Sequence, residues 1–199
     1  MSHRLVETKQ RLQLSGCFLV ASPDHPDPQV GRDVFLVTWH DDQGSVGVLL
    51  NRALVGDFRN VWAHILGPQG KQMPSGPIHY GGPLAGPMVA LHNRPDLAEA
   101  EVSPGIYITA RLKTLQKLSG IPATECRWIA GHVAWQVGEL EKQIEKGWWY
   151  AISATPDLVF SSADEIWPRA IRRAGDVWLA LVTGAPAGVT MVPHSGMWN

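Results

Sequence analysis

The chain has 199 residues with 17 basic and 18 acidic side chains, a formal net charge of −1. That length suits one domain, since domains commonly run ~100–200 residues, and it buries enough apolar surface to fold without staples. The near-neutral charge, with neither a basic excess nor a basic stripe, argues against direct nucleic-acid binding.

Fifteen prolines and twenty glycines announce many turns, and nine tryptophans are enough to anchor a core and line a cleft. Cys17–Ser22 is a short apolar run of strand formers, ended by the proline-rich loop that follows, because proline removes donors and fixes φ. Asp33–His40 and Ser45–Leu50 read as two strands of a hairpin across the turn Asp41–Gly44. Asp57–Leu66 carries Phe58, Val61, Trp62 and Ile65 at helical spacing, with Asp57 as N-cap. Short strands are expected at Ile78–Tyr80, Met88–His92 and Gly105–Thr109. A helix follows through Leu112, Leu115 and Leu118 and stops at Gly120.

Arg127–Ala130 reads as a strand, Val137–Lys146 as a helix ended by Gly147, and Trp148–Ser153 as another strand. Ser162 to Glu165 matches a capping box and opens a helix through Ile166, Ala170 and Ile171. Pro168 sits badly inside it, so the helix either begins near Trp167 or has a distorted first turn. Arg169, Arg172 and Arg173 fall at one end of this helix, where positive charge complements the dipole. Strands joined mostly by turns, with helices interspersed, imply an α+β single domain with a mixed, largely antiparallel β-sheet and flanking helices. Residues 1–175 form that domain; 176–199 read as an irregular C-terminal extension packed on it.

No catalytic or metal motif is complete. The eight histidines include no HExxH, and no serine sits in a GxSxG elbow. Cys17 and Cys126 lie in expected strands, far apart and with no CxxC, so buried packing is the reading for both. Met1–Gln10 lacks the apolar segment of a signal peptide, and no apolar run approaches the ~18 residues of a membrane helix. A cytoplasmic protein without membrane association and without cofactor is expected.

What remains are groups at element ends. Asn51 and Arg52 close the third strand, where an arginine can grip an anion bidentately or pair with a structural acid. Gly81 and Gly82, before Pro83, can present N–H groups to an anion or simply make a tight turn. His92 ends a strand, and His132 follows Gly131 at a strand end. Around Trp135 two readings stand: Trp135 and the neighbouring glycines form one wall of a cleft, or the block simply caps a helix that Glu139 opens, where acids meet the N-terminal dipole.

The block from Gly131 to Glu141 resembles the YqgE/AlgH family of bacterial proteins. Gly131, Trp135, Gly138, Leu140 and Glu141 fall in register with that family's pattern. So do Gly16, Phe18, Leu19, Ala21 and Pro23, then Phe35, Gly44, Gly47, Asn51 and Arg52, then Gly81-Gly82-Pro83 with Leu91-His92, and later Trp148, Phe160 and Trp167. The likeness spans about Leu14 to Gly175. It departs at His132 (Tyr is usual), Ala134 (Gly), Glu139 (Gln) and at Gln136-Val137. The resemblance implies an α+β fold in a cytoplasmic bacterial protein; members are labelled transcriptional regulators, from an association with alginate control.

The favoured function is therefore a regulatory module that binds an unknown small molecule or protein partner without catalysis. The alternative is a small-molecule hydrolase using Asn51, Arg52, His92, His132 and Glu139, which requires these groups within reach of one another. Exposed tryptophans would equally suit a homodimer interface.

Overall fold

The apolar runs pair into two five-stranded sheets in the computed structural model, which describes residues 13–67 and 74–184. The first sheet contains β1 (Cys17–Ala21), β2 (Val34–Asp41), β3 (Gly44–Leu49), β9 (Val133–Trp135) and β10 (Trp149–Ser153), in the order β10-β1-β2-β3-β9. Every pairing in it is antiparallel. The second contains β4 (Ile78–Tyr80), β5 (Val89–His92), β6 (Ala100–Ser103), β7 (Ile106–Thr109) and β8 (Cys126–Ala130), in the order β4-β8-β5-β7-β6. Only β4 and β8 run parallel there. The expected α+β class with mixed, largely antiparallel pairing is the one observed, divided between two sheets instead of one.

The division follows from burial on both faces. Phe18 and Val20 of β1 point into a core shared with Leu91 and Ile129 of the second sheet, while Leu19 and Ala21 point the opposite way. A strand covered on both sides reads as a continuous apolar run, and Cys17–Ala21 is buried throughout. The outer face of the first sheet is covered by α3 (Glu139–Glu145) through Leu140 and Ile144, packed with Trp135, Trp149 and Phe35. The outer face of the second is covered by α1 (Arg59–Leu66) and α2 (Leu112–Leu118), where Trp62 meets Trp128 edge-to-face with ring centroids 4.9 Å apart. α4 (Pro156–Val159) and α5 (Ala163–Thr183) complete the shared core, α5 lying against β1, β2 and β10.

Several expectations are corrected. The N-cap of α1 is Phe58, although the Asp57 carboxylate still accepts the Arg59 N–H at 3.0 Å. Ser162 is the N-cap of α5, but its hydroxyl makes no cap bond, so the capping box is not formed. That helix starts at Ala163 and continues through Pro168. Residues 176–183, expected to be irregular, extend it to Thr183; the rest of the expected extension lies outside the described residues. Arg169 and Arg173 therefore sit within the helix, not at its end, and both pair with Asp157, at 2.7 and 2.5 Å.

Candidate functional site

The groups picked out at element ends do not form one constellation. Asn51 is consumed by the backbone: its amide donates to the Arg32 carbonyl at 2.7 Å, and its side-chain oxygen accepts from the Val34 N–H at 3.0 Å. Arg52 forms a fork on Asp33, with bonds of 2.8 and 2.7 Å, and a third bond to the Gln29 carbonyl. Burial pushes the Asp33 carboxyl above its ordinary range, with Arg52 opposing that shift. These residues border a shallow cavity of about 580 Å³ beside His25 and Arg32.

Gly81, Gly82, Gly131 and His132 meet where the chain leaves β4 and β8. Gly81 donates to Ala130 at 2.7 Å, and Leu84 and His132 exchange two backbone bonds of 3.0 Å. Gly82, at φ 151°, and Gly131, at φ 82°, lie so close that a Cβ on either would run into the other segment's carbonyl. Glycine is required here for a backbone crossing, and the Gly81 N–H is already spent on the Ala130 carbonyl. Trp135 is buried against Phe35, with centroids 5.8 Å apart, so it is core rather than a cleft wall. Glu139 accepts the Gln136 N–H at 2.9 Å and holds the start of α3.

His92 lies apart from all of these. It pairs with Cys126 at the beginning of β8, whereas Gly131 and His132 follow the end of that strand. Four residue steps at a strand rise of ~3.3 Å put those ends about 13 Å apart. His92 is fully buried and stacked on Tyr107, its Nδ1 accepting from the Arg94 N–H at 3.2 Å, and burial lowers its pKa. Ser45, His40 and Glu141 do stand in the order of a catalytic triad, at 2.8 Å (Oγ to Nδ1) and 3.8 Å (Nε2 to Oε1). Ser45 is only 3% exposed inside the sheet, which closes it to a substrate.

A half-open pocket with a buried cation in its wall lies elsewhere, between β4, β8 and the start of α5. It is a cavity of about 340 Å³ bordered by His79, Cys126, Arg127, Phe160, Ser162 and Ala163, among others. Arg127 is 5% exposed. Its Nε donates to the Val159 carbonyl at 2.7 Å, its Nη1 to the Leu50 carbonyl at 2.7 Å and to His79 Nε2 at 2.6 Å, and its Nη2 to the Ser161 carbonyl. His79 Nδ1 faces the Trp128 carbonyl at 3.2 Å, so that nitrogen carries the proton and Nε2 accepts from the guanidinium. Burial and the neighbouring positive charge depress the His79 pKa to about 4, which keeps the ring neutral. Burial alone lowers Arg127 to about 10, so it remains a cation. The Cys126 thiol is pushed up to about 12 and holds its proton.

Neither His79 nor Arg127 stands out by motif. The signal available in the sequence was an arginine inside an otherwise apolar strand, since a charge at such a place is rarely buried without a partner. Among the described residues, no group of three or more His, Cys, Asp or Glu side chains could hold a metal ion.

The profile of the AlgH-like family matches residues 18–178. The chain belongs to that family. A UPF0301 protein of Chlorobium luteolum is 32% identical over 179 residues, covering 86% of this chain and 91% of the relative. A UPF0301 protein of Streptomyces coelicolor is 34% identical over 181 residues, covering 87% and 92%. The solution structure of AlgH from Pseudomonas aeruginosa superposes with a TM-score of 0.66 at 24% identity, over 88% of this chain and 95% of that one. The crystal structure of protein DIP2367 from Corynebacterium diphtheriae gives 0.67 at 22%, over 82% and 88%. The AlgH-like fold is thus shared, and at these identities the two structures speak for the fold alone.

Proposed function

We propose that this AlgH-like protein is a binding module that performs no covalent chemistry, and that the cavity beside Arg127 receives a small molecule. The observation that carries this reading is a buried guanidinium whose four bonds all go to neutral acceptors. Burying a charge without an opposite charge is costly, and a ligand in the adjoining cavity would supply one. Against the hydrolase reading, Asn51, Arg52 and Glu139 are already engaged by structural partners, and His92 lies at the far end of β8 from His132.

Native mass spectrometry of gently purified protein tests the reading. A small molecule should co-purify and be lost in Ala163→Trp, which fills the cavity mouth, while the circular dichroism spectrum is kept. A bound mass that survives the substitution would refute this cavity as the site.

Direct DNA recognition is not part of the proposal. Arg52, Arg59, Arg94, Arg111, Arg169 and Arg173 are each paired with a carboxylate, so these six are not free to track a phosphate backbone. The family's label of regulator is read as ligand sensing. Cytoplasmic residence fits two buried free thiols, and no helix among the described residues is long and apolar enough to cross a membrane.

A homodimer is the second reading, favoured by the end of α5. Trp178, Leu179, Leu181 and Val182 are each about half exposed, and a helix that is apolar all round is ordinarily covered. Sedimentation equilibrium of Trp178→Glu against the parent checks it; identical monomer masses for both would end it.

A further inference from the structure

We propose that the ligand of the Arg127 cavity is a small monocarboxylic acid with a compact apolar body, its carboxylate set against the guanidinium. The inference rests on the binding reading above and names the chemical class that the site accepts.

A guanidinium has five N–H donors. Four of those on Arg127 are taken by the Val159, Leu50 and Ser161 carbonyls and by His79, which leaves one N–H on Nη2. None of those acceptors is charged. No carboxylate among the described residues is paired with Arg127: Asp33 is bound to Arg52 and Asp157 to the arginines of α5. The His79 ring is neutral and both its nitrogens are used, so it offers the ligand neither a charge nor a free ring nitrogen. A cationic ligand would meet like charge. An anionic one would meet the opposite charge in a desolvated place, where a charge-assisted bond is roughly twice as strong as a neutral one.

The rest of the wall sets the body and the charge. Pro77, Ala123, Cys126 and Phe160 supply apolar surface, and the protonated Cys126 thiol adds none of the negative charge of a thiolate. At the rim, the hydroxyl of Ser162 makes no helix-cap bond and so is available to a second carboxylate oxygen. Asp164 and Glu165 stand exposed in the first turn of α5; their charges oppose a dianion and so disfavour a phosphate monoester. A volume of about 340 Å³ lies at the small end of the ~300–1,000 Å³ usual for ligand pockets.

Calorimetric titration of the full chain with benzoate, benzamide and inorganic phosphate tests this. Benzoate and benzamide share shape and differ in charge. Benzoate should bind at least about tenfold more tightly than benzamide, the difference that one charge-assisted bond supplies, with phosphate weaker than either. Ala163→Trp should abolish benzoate binding at an unchanged melting temperature. Equal affinity for benzoate and benzamide, both lost in Ala163→Trp, would overturn the acid class and leave the cavity reading standing. Tighter binding of phosphate would also overturn it. Binding of neither aromatic, with no co-purifying mass in the native spectrum, would remove the cavity reading together with this one.

Discussion

Arg127 and His79 form a buried polar pair whose protonation is fixed by the backbone around it. His79 has a depressed pKa, about 4 in the folded chain against an ordinary 6.5. Between those values the unfolded chain binds a proton that the folded chain does not, so stability is intact at pH 7 and falls as pH drops from about 6.5 towards 4. The loss attributable to His79 should be about 2–3 kcal/mol. Urea unfolding at pH 7 and pH 4.5 checks this, with His79→Gln expected to flatten the dependence. Arg52 is a second case. Its removal leaves the Asp33 carboxylate buried and unpaired, so Arg52→Ala should cost about 1–3 kcal/mol, read as a lower urea midpoint with an unchanged slope. For Arg52 the sequence left an anion grip and a structural ion pair equally open, and the structure shows the ion pair. The sequence shows a polar pair at a strand end; it does not show that Asp33, nineteen positions earlier, lies opposite. The Arg127 cavity was illegible for a related reason, because its lining comes from three segments distant in sequence, around β4, β8 and the start of α5.

The helices and strands that could be read from the sequence were those with clear periodicity. β4 and α2 have the expected spans, since Ile78–Tyr80 is bounded by Pro77 and Gly81, and α2 repeats leucine at helical spacing. β6, β9 and α4 carry weaker signals. Ala100–Ser103 is polar and largely exposed, Val133–Trp135 is three residues long, and Pro156–Val159 is a single turn. Their formation depends on tertiary partners rather than on local preference. Pro168 is the opposite case, a residue that opposes its own element. It lies in the sixth position of α5 and removes an N–H that would otherwise bond to the carbonyl of Asp164. Pro168→Ala should therefore stabilise the chain by about 1–3 kcal/mol, measured as a rise in melting temperature with unchanged helix content.

At the scale of the molecule, the two sheets share one core. Phe18, Leu36 and Val48 from the first pack with Leu91, Ile106 and Ile129 from the second, and with Ile166 and Ala170 of α5. Neither sheet can open its inner face without exposing the other's, so the chain should unfold in one cooperative step. Urea transitions followed by tryptophan fluorescence and by far-ultraviolet circular dichroism should coincide; separated midpoints would show that the sheets are independent units. The fold class was readable because turn-linked strands and interspersed helices fix it. The division into two sheets was not, because alternate residues of β1 serve two different cores and its sequence shows only a continuous apolar run.

The placement of β8 has a kinetic consequence. It is flanked on one side by the parallel β4 and on the other by the antiparallel β5, so it has no free edge. The side chain of Arg127 also ties it to Leu50 just after β3 and to Val159 and Ser161. No part of this strand can fray alone. Its amide protons should be among the last to trade for deuterium, released only when the whole chain opens. A molecule seated beside Arg127 would slow that trade by a factor of one plus the ratio of free ligand concentration to Kd, so the deuterium clock of β8 would report on the cavity even where the ligand gives no signal of its own.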